Sequence, residues 1–287
     1  MSVTRPMTTD EMRVLVERLF PSIGVRSFEP IGSGWTYDTY EVNDEWIVQL
    51  PRSQEAVDSL RAQLALLPEL SREVSALIPV PSLVSVDPPA MIYPKLHGAP
   101  ADEAPSGYWP ERLGRFLYDL HMVPPEFVGL RATTAEGVRK TRRRDCDRLA
   151  EVVVPRLDHD GRDRAERLLA AYLDDDRLWG FATCLTHGDL GPEHVLVGPT
   201  GDLVGVLDWE EAAIGDPAWD FAWLLHEMPD EGERALAAYG GPPDPAFRAR
   251  ARLVWSLMPW YEVAYGVDTR AETFVDSGLR GVRARLP

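Results

Sequence analysis

Met12, Leu15, Val16, Leu19 and Phe20 recur at helical spacing, which predicts an amphipathic helix near the start of the chain. Thr8 or Thr9 can cap it, Asp10 and Glu11 suit its first turn, and Pro21 and Gly24 end it. Strand-like pieces follow at Ser27–Ile31, Thr39–Val42 and Trp46–Leu50, with Asn43-Asp44 as a hairpin turn between the last two. Ser53 can cap a second helix whose buried stripe is Val57, Leu60, Leu64 and Leu67. Gln63 lies on that same inner face. Ile78–Pro81 is extended by its prolines, and Ala90–Tyr93 reads as another strand.

Beyond Gly98 the pattern becomes helical. Leu113, Phe116, Leu117 and Leu120 mark one helix, Val152 and Val153 another, and Leu168, Leu169, Tyr172 and Leu173 a third. More helices are expected at Leu236, at Tyr239 and from Phe247 to Tyr265. One clear β element interrupts them: Val195–Val197 and Leu203–Leu207 flank Gly198-Pro199-Thr200-Gly201-Asp202, a hairpin by turn chemistry. The reading is an α+β protein. A small mixed-sheet lobe spans residues 1–93, a connector 94–98 and a larger, mainly helical lobe 99–287.

Composition narrows the partners. The chain has 287 residues, 46 Asp and Glu against 30 Lys and Arg, and a formal charge of −16. Such a surface repels nucleic acid phosphates and anionic membranes and attracts cations. Neither nucleic acid nor membrane is expected as a partner. The one basic run, Arg139 to Arg144, reads as a solvated helix face or loop. Two cysteines fit a reducing compartment, no apolar stretch approaches the roughly 20 residues of a membrane span, and the early residues lack a signal-peptide core. A soluble cytoplasmic monomer is expected.

The segment with chemical content is Leu185-Thr186-His187-Gly188-Asp189, followed by His194, the hairpin and Asp208. A hairpin returns to its starting point, so Asp189, His194 and Asp208 should converge. One carboxylate can then take a proton from a hydroxyl while the other groups hold a divalent cation against phosphate charge. In the small lobe Ile31-Gly32-Ser33-Gly34-Trp35-Thr36 lies between two strands, where backbone N–H groups and the Ser33 and Thr36 hydroxyls can approach phosphates.

His-Gly-Asp, four residues, His194, then a hairpin ending in Asp208, with Ile214-Gly215-Asp216-Pro217-Ala218-Trp219-Asp220-Phe221 downstream, resembles the aminoglycoside and macrolide phosphotransferases. These antibiotic kinases have a two-lobed fold similar to protein kinases. The resemblance implies Mg2+ and a nucleoside triphosphate, ATP or GTP. It implies Asp189 as the catalytic aspartate, and His194 and Asp208 as metal ligands. His187 and Asp220 would brace the catalytic loop. Ser33, Gly34 and Thr36 would meet the phosphates, and Tyr93, Lys95 and Leu96 would form the purine hinge. Tyr93 is bulky enough to narrow the purine pocket in favour of GTP. Asp216 reads as a helix cap. His97, His121, His159 and His226 belong to no motif and read as structural or solvent-facing.

The small lobe departs from that family. Alignment places Gln49 where the phosphate-binding Lys or Arg should stand, and Gln63 where its Glu partner should stand. A Gln–Gln pair can still hydrogen-bond but brings no positive charge. No lysine precedes Tyr93, and Arg52 is the nearest substitute.

Most of the negative charge is in the larger lobe, where residues 98–287 hold 33 acidic against 22 basic side chains. Glu210, Glu211, Glu227, Asp230 and Glu262 suit a polyamine sugar, and Trp260 near Glu262 suits a macrolide wall. The expected acceptor is an antibiotic hydroxyl, an aminoglycoside ahead of a macrolide, with other antibiotics or a small amino alcohol as alternatives. The missing lysine leaves a second class open: a weak or inactive kinase that binds a ligand.

Overall fold

The structure, a computed structural model, describes residues 8–31 and 36–287. Gly32, Ser33, Gly34 and Trp35 of the expected phosphate loop lie outside the described residues. The small lobe contains α1 (Thr9–Leu19), β1 (Phe28–Pro30), β2 (Tyr37–Val42), β3 (Trp46–Pro51), α2 (Gln54–Leu70), β4 (Leu83–Val86) and β5 (Pro89–Pro94). The five strands form one antiparallel sheet in the order β1-β2-β3-β5-β4. Thr8 closes a capping box with Glu11, and Ser53 caps α2 through the Ala56 N–H. Asn43 and Asp44 both take φ of 60°, the left-handed turn that suits a tight hairpin. The β4 strand has no clear alternation in sequence and was not expected. Pairing with β5 creates it.

Strand alternation assigns the two faces of this sheet. Val48 and Leu50 pack with Met12 and Val16 of α1 and with Phe20 at its end, while Ile47, Met91 and Tyr93 pack with Ala56 and Leu60 of α2. Gln49 therefore stands on the α2 face, opposite Thr39 and Met91 in register.

The larger lobe contains β6 (Ala99–Pro100), α3 (Trp109–Met122), α4 (Ala135–Val153), α5 (His159–Leu173), β7 (Cys184–Thr186), β8 (Val195–Val197), β9 (Leu203–Val206), β10 (Ala213–Gly215) and helices α6 (Ala218–Glu227), α7 (Pro229–Tyr239), α8 (Phe247–Thr269) and α9 (Glu272–Arg285). The β8–β9 hairpin forms as expected and gains β6 at its edge. It is not the only β element here, because β7 pairs antiparallel with β10. Both of those strands are three residues long, too short to carry a period. One core gathers α3, α6 and the strands around Trp209 and Trp223, and a second gathers α4, α5, α8 and α9 around Trp260. The basic run is not simply solvated. Arg139 and Arg143 donate to the Leu173 carbonyl at the end of α5, and the Arg142 guanidinium stacks 3.7 Å over Trp219. No helix among the described residues is long and apolar enough to cross a membrane.

Candidate active site

The loop from β7 to β8 carries Asp189 and His194, and the chain leaving β9 carries Asp208. His187 joins the two. Its ring is fully buried. Nε2 lies 2.7 Å from the Leu207 carbonyl and must donate to it, and Nδ1 accepts the Asp189 N–H at 3.3 Å. Only a neutral imidazole can make both bonds. Burial keeps it neutral, pushing its pKa down to about 4 despite the nearby Asp220 carboxylate. One side chain thus fixes the backbone at Asp189 and the backbone just before Asp208.

Gly188 has φ +86°, and a Cβ there would stand 2.3 Å from the Glu211 carbonyl oxygen. Only glycine fits that approach. Asp208 itself takes φ +63°, a left-handed conformation that costs about 1 kcal/mol or more outside glycine.

Below the loop, Asp220 is fully buried and accepts three hydrogen bonds: the His187 N–H at 2.9 Å, the Gly188 N–H at 3.0 Å, and His121 Nε2 at 3.0 Å. The bonds from His121 and the loop outweigh burial and hold its carboxyl below the usual range. His121 Nδ1 lies 3.0 Å from the Tyr239 hydroxyl. Of the structural or solvent-facing alternatives open to it, His121 is thus structural, a brace beneath the Asp189 loop. Its partner stands 99 residues away, so no local spacing could expose it.

His194 donates from Nδ1 to the Asp189 carbonyl at 2.6 Å and turns Nε2 towards Asp208, 3.7 Å from Oδ2. A carbonyl on one ring nitrogen and a carboxylate facing the other is the usual setting of a metal-binding histidine. Among the described residues no cluster of three or more His, Cys, Asp or Glu side chains is arranged around a metal; Asp208 would supply the oxygen that a hard divalent cation prefers, with His194 Nε2 as a second ligand. Burial opposes a proton on His194, but Asp208, Asp189 and Glu193 outweigh it and raise its pKa. That proton must leave before Nε2 can take a metal. The Asp189 carboxyl opens into the cleft but is enclosed on its other sides. The enclosure, opposed by His194 and helped by Asp208 and Glu211, pushes it up to about 6.

Glu210 does not lie free for an acceptor. Its Oε1 accepts the Thr36 hydroxyl at 2.9 Å across the cleft, and its Oε2 is buried without a partner among the described residues. Burial, then the Asp208 charge, pushes it up to about 7. Glu211 is exposed beside the loop. The remaining acceptor candidates do not gather there. Glu227, about 10 Å further along α6 than Asp220, accepts the Trp255 indole N–H at 2.9 Å and Arg285 at 2.8 Å. Glu262 accepts the Ser277 hydroxyl, and Asp230 is exposed at the start of α7. Trp260 is fully buried in the helical core and presents no surface to a macrolide.

On the nucleotide side the expected Gln49–Gln63 bond is absent. Gln63 is buried and donates to the Tyr37 hydroxyl at 3.0 Å, while Gln49 Oε1 is buried without a partner among the described residues. Arg52 pairs with Asp38 at 2.8 Å, and Asp38 sits opposite Leu50, on the sheet face away from Gln49. At the hinge, Tyr93 is buried in β5, and burial raises its hydroxyl pKa. The Lys95 side chain binds Glu41 at 2.8 Å and Asp44 at 2.5 Å, and its N–H donates to the Glu45 carbonyl at 2.9 Å. Lys95 thus has no N–H for a purine, and Pro94 never had one. Leu96 keeps an N–H without a partner among the described residues.

The phosphotransferase enzyme family matches residues 27–253. Aminoglycoside 2'-phosphotransferase-IIIa, solved as its GDP complex, superposes with a TM-score of 0.85 at 23% identity, covering 97% of this chain and 98% of that one. A macrolide 2'-phosphotransferase type I gives 0.77 at 24% identity, covering 99% of each chain. The protein YcbJ of Bacillus subtilis (strain 168) is 29% identical over 194 residues, 61% of each chain, and viomycin phosphotransferase of Streptomyces vinaceus is 34% identical over 132 residues, 45% of each. The chain thus aligns with less than two thirds of these curated relatives.

Proposed function

This chain belongs to the phosphotransferase enzyme family, and we propose that it moves the γ-phosphoryl group of ATP or GTP to a hydroxyl of a cationic antibiotic, an aminoglycoside first. The observation that carries this reading is the joint placement of Asp189 and Asp208 by His187, with His194 Nε2 turned towards Asp208. Asp189 takes the proton of the acceptor hydroxyl on its carboxylate as that oxygen bonds to phosphorus. The bond from phosphorus to the β-bridging oxygen breaks and the nucleoside diphosphate leaves. His194 holds the Asp189 carbonyl, and Gly188 lets the loop pass beneath Glu211. Mg2+, when bound, would be held by Asp208 and His194 and would shield phosphate charge.

The acceptor class rests on charge. Asp189, Glu193, Asp208, Glu210 and Glu211 affect one another electrostatically, with His194 as the cationic group that offsets them. Such a field favours a polycation. With Glu227 and Glu262 engaged elsewhere and Trp260 buried, Glu211 is the acceptor carboxylate best placed beside the loop. Viomycin joins aminoglycosides, macrolides and small amino alcohols in the test panel, in view of the relative that phosphorylates it. Each compound is incubated with ATP or GTP and magnesium, and nucleoside diphosphate release is measured. Turnover of a cationic antibiotic supports the proposal. Tight ligand binding with no turnover of any compound overturns it in favour of a binding protein. A clear ATP preference counts against Tyr93 as a selector for GTP.

A further inference from the structure

The bond between Thr36 and Glu210 joins residues 174 positions apart and crosses from the small lobe to the large one. Thr36 is the first described residue after the glycine-rich stretch and leads directly into β2. Its carbonyl accepts the Arg52 N–H at 3.1 Å, so its backbone is anchored to the end of β3. Glu210 follows Asp208 by two residues. Trp209 between them is buried, and its indole donates to the Val206 carbonyl at 3.0 Å, so this turn is anchored as well. Two anchored backbones therefore meet through this side-chain bond, close to the Asp208 carboxylate.

The usual ion pair cannot perform this registration here, because Gln49 and Gln63 do not bond and no lysine is near. We infer that Glu210 is a donor-side positioning residue, whose hydrogen bond to Thr36 sets the start of β2 over Asp208 for the Mg-nucleotide. This rests on the phosphotransferase reading. It takes Glu210 from the acceptor site and gives it to the nucleotide. The geometry needs a hydroxyl at 36 and an acceptor oxygen at 210. It does not need a charge at 210, because an amide oxygen accepts the same bond.

The test measures binding of Mg·GDP and Mg·ADP by titration calorimetry, with no acceptor present. Thr36→Val and Glu210→Ala should each weaken binding about tenfold. Thr36→Ser and Glu210→Gln should restore most of it. The double variant T36V/E210A should be no weaker than either single one, since both remove the same bond. Circular dichroism checks that each variant is folded. Wild-type affinity in T36V and E210A overturns the inference. So does E210Q binding as weakly as E210A, because that would place the effect in the carboxylate charge and not in the bond to Thr36. If wild type binds neither nucleotide with magnesium, the phosphotransferase reading falls, and this inference falls with it.

Discussion

The floor of the cleft and its roof are built to different standards. On the floor, the polar groups that shape the catalytic loop have partners: Asp220 takes two loop N–H groups and His121, and His187 ties Asp189 to Leu207. On the roof, Gln49 has a buried oxygen with no partner among the described residues, Gln63 has turned to Tyr37, and Arg52 pairs with Asp38 on the other sheet face. A buried network that is fully satisfied fixes one geometry, and one that is half satisfied leaves a gap for something else to fill. The floor is therefore held in one geometry by its own hydrogen bonds, whereas the roof leaves a buried amide oxygen unpartnered among the described residues. On the proposed reading, positive charge for the phosphates would come with a bound cation.

Four changes would sharpen or break this contrast. Asp189→Asn should lower phosphoryl transfer by about 10²–10⁴-fold with nucleotide binding nearly unchanged. The same variant should melt at a higher temperature at pH 7. The folded pKa of Asp189, about 6, lies above its usual value, so its ionised form is disfavoured in the fold and removing it relieves a cost. Equal activity in mutant and wild type would remove Asp189 from the chemistry.

Asp220→Ala comes next, leaving two loop N–H groups and His121 without an acceptor. It should destabilise the protein by about 3 kcal/mol, read from the shift in denaturant midpoint. A loss under about 0.5 kcal/mol would mean that the floor is not held from below.

On the roof, Gln49→Lys with Gln63→Glu should tighten Mg-nucleotide binding about tenfold, a charge-assisted contact replacing an orphaned amide. The carboxylate introduced at position 63 could still accept from the Tyr37 hydroxyl. Unchanged affinity would show that position 49 does not face the phosphates.

The last change tests pH dependence. His187 is neutral in the fold, with a pKa near 4 against 6.5 when unfolded, so the unfolded chain binds its proton first. Its contribution to stability is present above pH 6.5 and is lost as pH falls from there towards 4. His187→Gln should flatten that part of the stability–pH curve. An unchanged slope would assign acid sensitivity to other groups.

Much of the floor was legible because its residues are close in the chain. Asp189, His194 and Asp208 lie within 20 positions, and a hairpin with Gly201 at its turn must bring them together. The helices were legible from period and caps, as at Thr8 and Ser53. The β7–β10 ladder was not, because three-residue strands show no alternation. Acidic residues near Asp208 suggested acceptor contacts, but a carboxylate's partner is set by whatever packs against it. Arg285 and Trp255 claimed Glu227, Ser277 claimed Glu262, and Thr36 claimed Glu210.

By itself, the sequence determined which chemistry this protein can hold: two carboxylates and an imidazole delivered by one hairpin, a glycine where the loop must pass, and no lysine in the small lobe. Those follow from residue type and short spacing. The tertiary structure alone decided how that chemistry is supported: His121 beneath Asp220, Gln63 on Tyr37, Arg52 on the far face of the sheet, and Glu210 reaching across the cleft to Thr36. Such contacts join positions 14 to 174 residues apart, and a hydrogen bond depends on ångström-scale placement that no local pattern encodes.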